Sequence, residues 1–130
     1  MTISMKKIGL MTSGGDAPGM NAAIRAVVRA CAYHGISAMG IEMGYQGLID
    51  NQMSEMGARD VKNIIHRGGT VLRTARCKAF YAAEGRAKAY DNFKSNGLDA
   101  LIVIGGDGTF TGAMLFSDEF NVPVIGLPGT

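Results

Sequence analysis

The sequence is short of cysteine, of long apolar runs and of clustered positive charge, and each shortage narrows what the chain can be. Cys31 and Cys77 are its two cysteines. They cannot build a disulfide framework, and neither has a second cysteine at CxxC spacing, so a reduced, cytoplasmic compartment is expected. No apolar run approaches the ~20 residues needed to cross a bilayer, which argues against a membrane protein. The opening Met1-Thr2-Ile3-Ser4-Met5-Lys6-Lys7 lacks the apolar centre of a signal peptide. Formal net charge is +2, without a basic run or basic–aromatic interleaving, so nucleic acid is not an expected partner.

Glycine is in excess. The 130 residues include 19 glycines, well above the usual ~7%. They gather where apolar runs end, which points to backbone that approaches a ligand closely rather than to low complexity. A hydrophobic fraction of 47% with 18% charged residues is that of one globular domain able to bury a core.

Apolar periodicity divides the chain into alternating strands and helices. Lys7–Met11 reads as a buried strand ending in the glycine-rich turn Thr12–Gly19. Pro18 lies where a helix can start at no hydrogen-bond cost. Ile24, Val27, Val28 and Cys31 form a stripe at helical spacing that stops at Gly35. Ala38–Ile41 is the next strand, expected parallel to the first through a right-handed crossover. Residues 44–57 look loop-like, with room for a short helix near Gly47–Asn51. Val61, Ile64 and Ile65 predict a short amphipathic helix over Asp60–His66, followed by a turn and short strand at Arg67–Leu72 and a basic loop at Arg73–Lys78. Glu84–Asn96, with Ala87, Tyr90 and Phe93 on one face, is expected to be a helix closed by Asn96-Gly97. Leu101–Ile104, a helix from Thr109 to about Ser117 with Phe110, Met114 and Leu115 at helical spacing, and Pro123–Leu127 complete the pattern. Strands alternating with helices imply a doubly wound, mostly parallel α/β sheet with helices on both faces, a Rossmann-like three-layer sandwich.

The segment Leu101–Phe110 carries the strongest functional signal. A strand buried on both faces runs into Gly105-Gly106-Asp107-Gly108-Thr109 and then a helix. Backbone N–H groups and a helix N-terminus thus reach the carboxyl edge of the sheet, an arrangement that receives phosphate. An aspartate in such a turn repels phosphate unless a divalent cation, here Mg²⁺, lies between them. A bare Asp-Gly turn is the plainer reading, but Gly14-Gly15-Asp16 after the first strand repeats the pattern. No Gly-Lys-Ser/Thr follows, and Gly106, Gly108 and Gly112 give GxGxxxG, so neither a P-loop nor a dinucleotide fingerprint is present.

Other candidates are weaker on spacing alone. Arg25 and Arg29 stand one helical turn apart, where like charges cost about 0.2–0.5 kcal/mol. An anion held between them is one reason for both, and a solvated helix face is the other. Arg73 and Arg76 suit bidentate phosphate contacts; for Arg73 an exposed basic loop accounts for the residue at least as well. Cys31 reads as a core residue, Cys77 lacks a base to make it a nucleophile, and His34 and His66 read as surface or helix-end residues.

Read together, Ser13-Gly14-Gly15-Asp16-Ala17-Pro18-Gly19-Met20-Asn21-Ala22-Ala23-Ile24-Arg25, Gly105-Gly106-Asp107-Gly108-Thr109 and Leu127-Pro128-Gly129-Thr130 resemble the amino-terminal part of the bacterial 6-phosphofructokinase family. Arg67-Gly68-Gly69-Thr70 and Thr74-Ala75-Arg76 keep the family spacing, and the likeness covers essentially the whole chain. It implies an ATP-dependent kinase of glycolysis that phosphorylates the 1-hydroxyl of fructose 6-phosphate. Residues 1–130 would then be the nucleotide-binding part of a longer protein, inactive by itself.

The resemblance also assigns residues. Gly15 lets its backbone approach the ATP phosphates. Arg76, the neighbouring Cys77, Gly106, Asp107, Gly108 and Thr109 line the nucleotide, with Asp107 acting on Mg²⁺. Thr130 stands at the transferring phosphate and sugar hydroxyl, and in the family Ile-Asp-Asn-Asp follows, its first aspartate being the general base. Arg25 and Arg29 match arginines that hold ADP or phosphoenolpyruvate as effectors at a subunit interface of a homotetramer. Pyrophosphate-dependent relatives carry aspartate where Gly108 stands and lysine where Gly129 stands, so two glycines imply ATP. Cys77 replaces a frequent phenylalanine, and the effector-loop arginine near Ala58-Arg59 is changed or shifted. A second reading is a diacylglycerol- or NAD-kinase-like enzyme, which shares the GGDGT turn but not the Ser13–Arg25 motif. A third is a non-catalytic nucleotide-binding module.

Overall fold

The run Lys7–Thr12 (β1) is the central strand of a five-stranded sheet, buried from Ile8 to Thr12 as a strand covered on both faces must be. The computed structural model describes residues 5–14, 19–67 and 69–129. After β1 come Gly19–Tyr33 (α1), Ser37–Ile41 (β2), Gly44–Asp50 (α2), Met53–Met56 (β3), Ala83–Ser95 (α3), Ala100–Gly105 (β4), Asp107–Phe120 (α4) and Val124–Pro128 (β5). Two 3₁₀ turns, Ile64–His66 and Lys78–Tyr81, lie between β3 and α3.

The strand order is β3-β2-β1-β4-β5, parallel throughout except for β3. This is the expected doubly wound α/β fold. The chain winds outward from β1 in one direction and from β4 in the other, so the two central neighbours mark the point where the order reverses, and ligands of such sheets bind there. Register brings the strand ends level: Thr12 stands opposite Ile104, and Gly105 opposite Pro128. The Ser13 N–H donates to the Ile104 carbonyl at 3.0 Å, and the Gly129 N–H to that of Gly105 at 3.0 Å.

Alternation along the strands feeds two cores. Ile8, Leu10 and Ile104 pack with Met20, Ile24, Val28 and Cys31 of α1. Met11, Leu101 and Val103 face the other way, toward α2, α3 and α4. Each large aliphatic group buried this way is worth about 1.5–3 kcal/mol. The second core is aromatic: Tyr45 stacks on Phe80 with centroids 3.9 Å apart, and Phe80 leads on to Phe116, Phe93 and Tyr90. No helix among the described residues is long and apolar enough to cross a membrane.

Several local expectations are corrected. α2 begins at Gly44, and β3 was not foreseen: it is a half-exposed edge strand held by antiparallel pairing with β2. Asp60–His66 is not an α-helix, because Asn63 adopts a left-handed φ of 69° and only the 3₁₀ turn follows. Of its predicted apolar face Val61 and Ile64 are buried while Ile65 is exposed. Among the described residues of Arg67–Leu72 there is no strand, since side chains take the amides a strand neighbour would need: Asn21 Oδ1 accepts from Val71 N–H and Thr70 Oγ1 from Leu72 N–H. On α3 the buried residues are Ala89 and Phe93, with Tyr90 half-buried and Ala87 exposed. On α4 Thr109, Gly112, Ala113 and Phe116 face inward, while Met114 and Leu115 are exposed.

Candidate functional site

A cleft of about 620 Å³ opens at the carboxyl edge of the sheet, beyond the ends of the paired strands β1 and β4. One side is the Gly108-Thr109 start of α4, the floor includes Ser13, Gly14 and Tyr45, and another wall runs from Thr74 to Lys78, with Tyr81 bridging to α4 by donating to the Gly108 carbonyl at 3.3 Å.

The glycine turn is shaped by close approach. A Cβ on Gly105 would come within 2.6 Å of the Ser13 carbonyl and 2.7 Å of Thr109 Oγ1, so only glycine lets the two strand exits lie together. Gly14, at φ +90°, occupies the left-handed region that favours glycine. α4 begins from Gly106 without a side-chain cap, leaving the N–H groups of its first turn free for a ligand. Gly108 has open space where its side chain would be. Gly129 is more crowded: a Cβ there would meet the Met20 side chain of α1 at 3.0 Å.

The wall from Thr74 to Lys78 carries the charge. Arg76 and Lys78 are exposed and line the cleft, with Cys77 half-buried between them and packed on the aromatic core. Arg86 braces this wall, donating to the Phe80 carbonyl at 3.1 Å and pairing with Glu119 at 2.9 Å. Tyr45 donates its phenol to the Thr109 carbonyl. Burial, with the neighbouring Tyr81 adding to it, pushes that phenol well above its ordinary range, so it is a neutral donor at any working pH.

Arg76, Cys77, Gly108 and Thr109 are therefore brought together as expected. Gly106 and Asp107 are exposed where α4 begins, next in the chain to Gly108, and do not themselves line the cleft. Gly15 and Thr130 lie outside the described residues, as do Asp16, Pro18 and the side chain of His66. Arg25 is half-buried and Arg29 exposed on α1, away from the cleft, and Arg73 is an exposed residue at φ 61° outside it. Sequence reasoning missed Tyr45, Lys78 and Tyr81. The glycines flanking Tyr45 in Gly44-Tyr45-Gln46-Gly47 were a usable sign of close packing; Tyr81 gave none.

Mg²⁺ meets a suitable donor. Among the described residues no group of three or more metal-ligating side chains occurs. One exposed carboxylate, Asp107, faces the solvent at the helix start. That suits an ion carried mainly by phosphate oxygens and water, the usual manner of Mg²⁺.

Comparisons with known proteins agree with this geometry. A profile described as phosphofructokinase matches residues 7–130. The chain is 59% identical over 127 residues to ATP-dependent 6-phosphofructokinase 2 of Bacteroides thetaiotaomicron, covering 98% of this chain and 39% of that protein. It is 56% identical over 126 residues to ATP-dependent 6-phosphofructokinase 1 of Thermus thermophilus, covering 97% and 39%. It superposes on the T-state crystal structure of Pichia pastoris phosphofructokinase with a TM-score of 0.91 and 42% identity, covering 100% of this chain and 16% of that one. The chain thus spans about two fifths of the length of the curated relatives it matches. The diacylglycerol- or NAD-kinase-like alternative is not favoured. This chain belongs to the phosphofructokinase family.

Proposed function

We propose that this chain forms the Mg-ATP half of an enzyme that moves the γ-phosphoryl of ATP to the 1-hydroxyl of fructose 6-phosphate, giving fructose 1,6-bisphosphate. The observation that carries the reading is the cleft beyond the ends of β1 and β4, lined by a cationic wall and by the helix N-terminus that follows a glycine turn. Phosphoryl transfer asks a protein mainly for positioning and charge neutralisation, and those are what this edge offers. Arg76 binds phosphate oxygens from one side. The N–H groups at the start of α4 bind from the other, with Gly108 and Thr109 leaving room for the nucleotide. Asp107 holds Mg²⁺, which when bound screens the phosphate charges. Gly15 and Thr130 act at the phosphates and the transferring group, and a general base beyond residue 130 takes the sugar proton.

Arg25 and Arg29 hold the phosphate of an effector, ADP or phosphoenolpyruvate, in a cytoplasmic homotetramer. What supports this is a repelling i,i+4 pair with no ion-pair partner among the described residues.

The test is a coupled assay of the purified full-length protein for fructose 1,6-bisphosphate, with ATP and then pyrophosphate as donor. Turnover with ATP and fructose 6-phosphate is expected, at least about 10²-fold above that with pyrophosphate, on the scale of one lost transition-state contact. Turnover with pyrophosphate alone, or none with either donor, would overturn the reading.

A further inference from the structure

Among the described residues between Ile64 and Leu72 the 3₁₀ turn Ile64–His66 is the one regular element, so backbone polar groups there need other partners. One side chain supplies three of them. Asn21, fully buried on α1, donates through Nδ2 to the carbonyls of Ile64 at 3.1 Å and Arg67 at 3.3 Å, and accepts from the Val71 N–H through Oδ1 at 2.8 Å. Both amide hydrogens and the amide oxygen are thereby used.

A second tether stands beside it. Thr12, fully buried at the end of β1, has its Oγ1 2.9 Å from Thr70 Oγ1 and donates to the Arg73 carbonyl at 3.1 Å. The Leu72 N–H donates to Thr70 Oγ1. Each hydroxyl has one proton to give, and Thr12 gives its own to Arg73, so Thr70 must donate to Thr12. The chain of donors runs one way: Leu72 N–H to Thr70, Thr70 to Thr12, Thr12 to the Arg73 carbonyl. Thr12 and Asn21 stand on the two sides of the β1–α1 turn, and the segment they hold leads within a few residues to Arg76.

We propose that Asn21 and the Thr12–Thr70 hydroxyl pair are positioning residues for Arg76, fixing the cationic wall of the nucleotide cleft relative to the end of β1 and the start of α1. The proposal rests on the reading that Arg76 contacts the nucleotide. Neither tether touches the ligand; each acts by locking the segment that delivers the guanidinium, and misplacing such a group by ~1 Å can cost ~10²-fold.

The experiment is a double-mutant cycle in the full-length protein, with the affinity for the magnesium complex of a non-hydrolysable ATP analogue measured by calorimetry, because ADP is also the proposed effector. Asn21→Ala is expected to weaken binding about tenfold, a moderate share of that cost, and to add less than about twofold once Arg76→Ala is present, because contacts acting through one group do not add. Additive effects overturn the proposal. Unchanged affinity in Arg76→Ala alone overturns the reading of Arg76, and the tether's role with it. Should Asn21→Ala fail to fold, Thr12→Val enters the same cycle with the same deciding outcomes. Thr12→Ser supplies a rescue, since it keeps the hydroxyl chain and loses a buried methyl. Positioning ranks Ser above Val in affinity for that analogue, whereas packing alone ranks Val above Ser.

Discussion

The phenol of Tyr45 on α2 donates to the backbone carbonyl of Thr109 in the first turn of α4, and so ties the floor of the cleft to the helix whose N-terminus faces it. The ring is stacked on Phe80, and α4 approaches it closely because a Cβ on Gly112 would come within 3.1 Å of the ring edge. Tyr45→Phe keeps the stack and removes one buried hydrogen bond, so stability should fall by about 1 kcal/mol. Tyr45→Ala also empties an aromatic site and should cost about 3–5 kcal/mol. Urea unfolding midpoints of the two variants measure both, and equal losses would show that the hydroxyl, not the ring, carries the contact.

Asp107 separates function from fold. The carboxylate is exposed in the first turn of α4, so Asp107→Ala should cost only the ~0.3–1 kcal/mol of a helix N-terminal charge. In the full-length enzyme, turnover should drop by about 10²-fold or more, the scale of a lost electrostatic partner in the transition state. Steady-state rates beside thermal unfolding decide it, and near-normal turnover removes Asp107 from the metal role.

Gly108 makes the converse case. Open space surrounds the position of its missing side chain, and its φ is not left-handed. Gly108→Asp should therefore fold normally, with a carboxylate placed favourably at a helix start, while the KM for ATP rises steeply as that carboxylate enters the cleft. A variant with unchanged ATP kinetics would place the nucleotide elsewhere.

Much of this was legible in the sequence because it follows from local rules. The aliphatic runs at Ile8–Met11 and Leu101–Ile104 are buried strands whatever surrounds them, and the glycines after each mark the edge where they end. What escaped is what tertiary structure decides. Met53–Met56 is a strand only because β2 lies beside it. The segment expected as a helix and then a strand between Asp60 and Leu72 is irregular because Asn21, some 40–50 positions earlier, satisfies its backbone. The inner face of α4 is Thr109, Gly112, Ala113 and Phe116 rather than Met114 and Leu115, and at Gly112 it is close approach to the Tyr45 ring that selects a small residue. The wall residues Lys78 and Tyr81 carry no periodic signal; Arg86 holds the turn between them through the Phe80 carbonyl, and the Tyr81 phenol donates to the Gly108 carbonyl.

The two cysteines should differ sharply toward alkylating reagents. Cys31 is buried in the α1 core and burial pushes its thiol above the ordinary value of 9.0, so little reactive thiolate forms there. Cys77 is half-buried in the cleft wall. Iodoacetamide followed by peptide mapping should find Cys77 modified first, with MgATP slowing that reaction. Faster labelling of Cys31, or no protection by nucleotide, would contradict the packing or the position of the site.

Asp99 supplies a pH dependence whose sign is fixed by its partners. Its carboxylate accepts the backbone N–H groups of Lys6 and Lys7 at 2.8 and 2.9 Å, tying the entry of β1 to that of β4. Those two bonds hold the carboxyl below its ordinary 3.8. The unfolded chain therefore binds this proton more readily than the folded one, so the contribution is complete above pH 3.8 and is lost as pH falls through the lowered native value. Solvent screens so exposed a group, which keeps the effect under about 1 kcal/mol. Asp99→Asn should accordingly lower the urea midpoint at pH 7, with the gap to the parent protein narrowing toward pH 3. A gap of equal size at both pH values would mean that shape, rather than the carboxylate's charge, secures the two strand entries.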